Sequence, residues 1–178
     1  GAVDYEATVY VNGKKAGYHK GGYSSFRFDI TDLLVAGENT VIVNAVDDVR
    51  STLVPRGKQC EELHSRGCDY TRTTGIWQTV WLEFIPESFI QNIKYYPNIA
   101  NSTITIEADF CGCADFKCNI YFDKVAAGSY FAPQVSGKHI FTVQLTETHL
   151  WTIGQGNLYD VELSFGDDYV QSYFGLRQ

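Results

Sequence analysis

The chain has 178 residues, 44% of them hydrophobic and 15% aromatic, which is enough for one large domain or two small ones with proper cores. Its net charge of −7, with no basic run longer than Lys14-Lys15, leaves no electrostatic footprint for nucleic acid or an anionic membrane. No apolar run approaches the roughly 20 residues that span a bilayer, and Gly1-Ala2-Val3-Asp4 shows no basic segment followed by an apolar core.

Residues 4–12 alternate, with Tyr5, Ala7, Val9 and Val11 on one face, and predict a strand. Asn12-Gly13 tolerates the positive φ angles of a tight hairpin turn, so Lys15 to His19 is expected to run back. After the glycine-rich loop 19–23, Phe26, Phe28 and Ile30 alternate with Arg27 and Asp29 and predict a third strand. Thr31 to Leu34 is expected to make one helical turn capped by Thr31, and Thr40 to Val46 a further β-branched strand. Periodicity then vanishes from Asp47 to Thr74, a length uncommon for an idle loop in a compact domain. It returns in Gly75 to Phe84, an apolar strand ended by Pro86, with Trp77 and Trp81 on one face and expected in the core.

Downstream, Phe89 to Ile93, Ile104 to Phe110, Cys118 to Phe122, His139 to Leu145, Tyr159 to Phe165 and Tyr169 to Phe174 predict six or seven short strands. Their spacing suits an immunoglobulin-like sandwich without the antibody cysteine and tryptophan pattern. The reading is therefore all-β, with a partial jelly-roll sandwich over 1–86 and an immunoglobulin-like β-sandwich over 87–172. A jelly roll needs eight strands, the first segment offers about five, methionine is absent and a strand is already running at residue 4. The opening strands are expected to lie outside these residues. Open edges should then drive homo-oligomerisation, capture of a strand, or folding of the 50–70 loop over the open face.

Five cysteines, at Cys60, Cys68, Cys111, Cys113 and Cys118, do not close a disulfide set and favour a reducing, cytoplasmic compartment. Cys111, Cys113 and Cys118 lack a local fourth ligand for tetrahedral zinc, and the alternation of Ile104 to Phe110 turns Cys111 and Cys113 away from the core. They read as free thiols, with no metal site. His19, alone beside Gly21-Gly22, reads as a hydrogen-bonded structural residue.

Two stretches carry a resemblance. Asp4-Tyr5-Glu6-Ala7-Thr8-Val9-Tyr10-Val11-Asn12-Gly13, His19-Lys20-Gly21-Gly22-Tyr23, Phe28-Asp29-Ile30-Thr31 and Gly37-Glu38-Asn39-Thr40 resemble the later half of the sugar-binding jelly roll of family 2 glycoside hydrolases, the β-galactosidase and β-glucuronidase group. Thr71-Arg72-Thr73-Thr74-Gly75-Ile76-Trp77-Gln78-Thr79-Val80-Trp81-Leu82-Glu83 resembles that domain's closing strand. Leu150 to Gly154 with Asn157 to Val161 resembles a motif of the family's immunoglobulin-like domain, and Tyr173 to Arg177 resembles its link into a catalytic (β/α)8 barrel, which implies the start of a linker at 173–178.

The resemblance implies a non-catalytic accessory piece of a β-glycosidase of β-galactosidase type, whose partners are a carbohydrate and its own barrel. The family's catalytic glutamates lie on the barrel, the acid in an Asn-Glu pair, and no Asn-Glu dipeptide occurs here. Asp69 resembles an aspartate that reaches from the jelly roll into the barrel's active site, hydrogen-bonds sugar hydroxyls and lies near a sodium ion in some members. His64 is a second substrate-facing candidate on the same loop. The rival is a stand-alone carbohydrate-binding or adhesive β-sandwich module.

Overall fold

The computed structural model describes residues 1–177 and is all-β, with ten strands, one 3-10 turn at Thr31–Leu33 and no α-helix among the described residues. It divides into two compact units, Gly1–Leu82 and Glu83–Gln178.

In the first unit, β2 (Glu6–Val11) and β3 (Lys14–Lys20) form a hairpin, and β4 (Val41–Val46) pairs on the other side of β2, giving the antiparallel order β3-β2-β4. Asn12 and Gly13 take φ of 50° and 79°, the two left-handed positions of a type I′ turn. The Asn12 side chain then ties this turn to the following loop: its Oδ1 accepts from Thr40 N at 2.9 Å, and its Nδ2 donates to Leu33 O at 2.9 Å. Two short strands, β1 (Val3–Asp4) and β5 (Gly75–Ile76), bring the two ends of the unit together. The buried apolar set is small: Ala2, Val3, Ala7, Val11, Val49 and Cys60, the last two from the long loop.

Four expectations from the sequence differ from the structure. Phe26 to Ile30 makes no strand; Phe28 instead lies where a Cβ on Gly17 would come within 2.3 Å of its ring, and Phe26 stacks on His19 at 4.3 Å. The alternating aromatics are thus used to cover β3 rather than to extend a ladder. Thr31 does not cap the 3-10 turn: Ile30 stands at the N-cap without a side-chain cap hydrogen bond, and Asp29 Oδ1 accepts from Thr31 N at 2.9 Å and from Thr31 Oγ1 at 2.7 Å. The apolar segment after Thr74 joins a ladder over Gly75–Ile76, paired with β1, and Trp77 N donates to Ala2 O at 3.4 Å just beyond it. Trp77 and Trp81 remain 54% and 58% exposed instead of entering the core.

The second unit is one sheet curled onto itself. Strands β7 (Thr103–Phe122) and β8 (Val125–Gln144) are 20-residue arms of a single hairpin turned at Asp123-Lys124, with φ of 48° and 68°. Along its other side, β7 pairs first with β6 (Phe89–Asn98) and then, from Phe116 to Tyr121, with β9 (Tyr159–Phe165), beyond which lies β10 (Asp168–Phe174). Five strands therefore replace the six or seven expected, since segments separated by a break in alternation are continuous across a bend.

The bend has a local cause. Register shifts fall between Phe110 and Cys113 and between Ala114 and Phe116, and Gly112 adopts φ of +83° where a Cβ would meet Ser88 Oγ at 2.3 Å. Bulges sharpen bend and twist, so Ile104, Ile106, Ala108 and Phe110 before it share one core with Phe116, Cys118 and Ile120 after it. Phe110 lies 4.9 Å from Phe116 and 4.5 Å from Phe165 between ring centroids, and Tyr95 of β6 stacks on Phe174 of β10 at 5.6 Å. Tyr159 is fully buried, with its hydroxyl donating to Glu147 O at 2.8 Å and accepting from His149 N at 2.9 Å. Residues 173–176, expected to begin a linker, are strand and core: Phe174 and Leu176 are buried, and Trp151 N donates to Leu176 O at 2.8 Å.

All five cysteines are free, with Cys68, Cys111 and Cys113 exposed and Cys60 and Cys118 buried. Burial pushes the Cys118 thiol up to about 12. At pH 8 a disulfide reagent should label Cys68, Cys111 and Cys113 rapidly and Cys60 and Cys118 only after denaturant is added; prompt labelling of Cys118 would contradict its placement. Phe116→Ala should cost the second unit about 3–5 kcal/mol in urea unfolding, and a loss under about 1 kcal/mol would place Phe116 outside the core.

Candidate functional site

The first unit's long loop, 47–74, leaves β4 and returns to β5, and its order comes from pairing within itself. Gln59 and Tyr70 form a parallel bridge, in which Cys60 N donates to Tyr70 O at 2.8 Å and Tyr70 N to Lys58 O at 2.7 Å. Two guanidiniums fasten the intervening stretch by its carbonyls, Arg50 Nε donating to Glu61 O at 3.1 Å and Arg72 to Glu62 O. Cys60 is buried, and its thiol donates to His64 O at 3.4 Å.

One side chain joins this loop to the sheet. Gln59 Nε2 donates to Asp4 Oδ2 at 3.0 Å, while Gln59 Oε1 accepts from Thr73 N at 2.7 Å. The second oxygen of Asp4 is buried without a hydrogen-bond partner, and a Cβ on Gly22 would approach it to 2.6 Å. Gly22 therefore has to be glycine for the loop 21–24 to close over Asp4, and its carbonyl accepts from Trp77 Nε1 at 2.7 Å. His19 is placed as a structural residue: its Nε2 lies 3.2 Å from both Gly21 O and Ser24 Oγ.

Asp47, Asp48, Val49, Arg50, Arg72 and Thr74 line an open depression of about 340 Å³ at the base of the loop. Asp47 is held above the ordinary carboxyl range, first by burial and then by the negative charge of Asp4, against a 3.4 Å hydrogen bond from Thr74 Oγ1. The two residues picked out from the sequence stand apart from these six. Asp69 is half-buried, its backbone N–H donating to Arg66 O at 3.0 Å, and the His64 side chain is exposed. Arg72 goes to a carbonyl instead of pairing with Asp69. Sequence reasoning missed Asp4, Asp47, Gln59 and Arg72. The one available signal was a pair of carboxylates, Asp47-Asp48, at a strand end opening a long loop. Among the described residues no three His, Cys, Asp or Glu side chains converge to hold a metal ion.

Comparison with known proteins bears on both units. The protein-family model for "Glycosyl hydrolases family 2, sugar binding domain" matches residues 1–86. A β-galactosidase of Thermoanaerobacterium thermosulfurigenes is 27% identical over 197 aligned positions, covering 97% of this chain and 26% of its own length. A β-glucuronidase of Bacteroides fragilis is 36% identical over 94 positions, covering 52% of this chain and 12% of its own length. The chain thus spans about a quarter or less of these curated relatives. Among solved structures, Bacteroides uniformis β-glucuronidase 3 superposes with a TM-score of 0.78 at 18% identity, over 98% of this chain and 24% of the other. That likeness is one of fold.

The raised Asp47 carboxyl has a stability consequence. A carboxyl that binds its proton more tightly when folded makes the fold lose stability as pH rises from 3.8 through the raised value, and the deficit persists at neutral pH. Asp47→Asn, which keeps an acceptor for Thr74, should raise the melting temperature at pH 7 by about 1–3 °C and leave it unchanged below pH 3. A lower melting temperature at pH 7 would contradict this sign.

Proposed function

We propose, from the premise that residues 1–86 belong to the sugar-binding domain of the family 2 glycosyl hydrolases, that this chain is a non-catalytic part of a β-glycosidase that cleaves O-glycosyl bonds, of the β-galactosidase type. In this reading the first unit buttresses the catalytic barrel and lends its long loop to the substrate pocket, and the second unit is a spacer. The observation that carries the reading is the anchoring of the 47–74 loop: Gln59 bridges Asp4 and Thr73, so the stretch around Asp69 is held by a defined scaffold rather than left free.

Asp69 suits the role of a sugar ligand because a carboxylate accepts two hydroxyl protons in directional, charge-assisted hydrogen bonds. A sodium ion beside Asp69 would take the carboxylate as one of its oxygen ligands, beside carbonyl or hydroxyl oxygens, since no three His, Cys, Asp or Glu side chains converge among the described residues. His64 follows Asp69 as a second substrate contact, its exposed ring free to turn toward a ligand.

Hydrolysis itself lies elsewhere. Retaining glycosidases need two carboxyl groups about 5–5.5 Å apart, one of them a protonated acid, with a glycosidic oxygen between. Asp4 and Asp47 do act on each other, but Asp4 Oδ2 is taken by Gln59 and Oδ1 is buried beneath Gly22, so no substrate oxygen reaches the pair.

The test uses the gene product that carries this chain together with its barrel. Asp69→Asn should lower kcat/KM on nitrophenyl β-D-galactoside by about 10–100-fold, the loss expected from an unpaired hydroxyl contact to a charged group. The isolated 178-residue chain should release no nitrophenol. An unchanged kcat/KM, or turnover by the isolated chain that survives repurification, would overturn the reading.

A further inference from the structure

Strands β7, β9 and β10 are adjacent, and every second residue on each points away from the core. Their register sets three rows on that outer face: Tyr173, Asp160 and Tyr121; then Gln171, Glu162 and Asn119; then Tyr169, Ser164 and Lys117. None of these nine positions is aliphatic, whereas the intervening Val161, Leu163, Phe165 and Phe174 are buried. An open depression of about 550 Å³ lies here, lined by Tyr121, Lys124, Asp160, Val161, Glu162 and Gln171.

A polar outer face is ordinary for an antiparallel sheet, so polarity alone assigns nothing. What sets this face apart is the order of its groups. Tyr173 and Tyr121 stand two strands apart, roughly 9–10 Å, with the Asp160 carboxylate between them. Tyr169 and Tyr173 are 53% and 65% exposed, leaving flat apolar ring faces open beside hydrogen-bonding groups. The Tyr121 hydroxyl is held by Glu162, and Gln171 Nε2 donates to the Tyr169 hydroxyl at 3.2 Å, so the polar groups are already oriented. Flat rings meet the C–H face of a pyranose, and carboxylate and amide oxygens accept its hydroxyl protons. The charges of Asp160 and Glu162 are balanced by Lys117 and Lys124, so the face offers no net attraction to a polyanion.

We propose that this outer face of the second unit binds an uncharged oligosaccharide, lying across the strands from Tyr173 to Tyr121, with Asp160, Glu162 and Gln171 accepting its hydroxyls. The site is independent of Asp69 and would hold a polymeric or branched saccharide near the protein without cleaving it.

The test is a titration of the ¹⁵N-labelled 178-residue chain with neutral β-linked gluco-, galacto- and manno-hexasaccharides, beside a uronic-acid hexasaccharide of equal length. At least one neutral probe should give saturable amide shifts on β9 and β10, and the uronic probe should bind more weakly. Tyr173→Ala and Glu162→Gln should each weaken binding by about ten-fold or more with an unchanged melting temperature. If Tyr173→Ala lowers the melting temperature, the exposed Gln171→Ala is read in its place, with the same expectation. No saturable shift by about 10 mM of any neutral probe, shifts confined to residues 1–82, or equal affinity in the variants would overturn the proposal. Shifts confined to the first unit would leave the Asp69 reading standing while removing this one.

Discussion

The side-chain amide of Gln59 is the contact on which the first unit's irregular half depends. A long segment without helix or sheet must find partners for its own backbone groups, and each one left buried and unpaired costs about 1–3 kcal/mol. Gln59 addresses this from both ends, donating to Asp4 on the first strand and accepting from Thr73 at the loop's return. With those two points fixed, the bridge between Gln59 and Tyr70 can close, and Cys60 reaches the core. Gly22 belongs to the same arrangement, since only a residue without a Cβ lets the 21–24 turn seat on Asp4.

The second unit solves a different problem. Two 20-residue strands would be too long for a flat sheet of this size, and the bulges around Gly112 fold the hairpin so that its two halves share one core. The contrast in burial follows: nineteen buried residues form the cluster of this unit, against six in the first. Sheet and bend give the second unit one continuous core, while the first unit's long loop is held by side-chain hydrogen bonds.

Much of the fold was legible in the sequence where the signal is local. Asn12-Gly13 marks its hairpin through the backbone conformation it permits, and the alternation of Ile104 to Phe110 marks an inward face because side-chain direction follows residue parity. The failures share one cause, which is that partners are chosen in three dimensions. Phe26 and Phe28 alternate like a strand, yet they are used as lids on His19 and Gly17. Trp77 and Trp81 sit in a strand-like apolar run of which Gly75–Ile76 joins a ladder. The bulge at Gly112 breaks the alternation, so one strand reads as two. In the candidate site, Asp69 and His64 were reachable only through family resemblance. The Gln59 contact with Asp4 spans 55 residues of sequence and leaves no periodic trace.

The 47–74 loop is an ordered element held by Gln59, and hydrogen exchange on a Gln59→Ala variant of the whole chain tests that most directly. Amides at Lys58 to Cys60 and Asp69 to Thr74 should exchange at least about ten-fold faster than in the parent, with β7 and β8 unchanged. Loop amides that keep their parental protection would contradict it, because the loop would then be held by something other than this bridge.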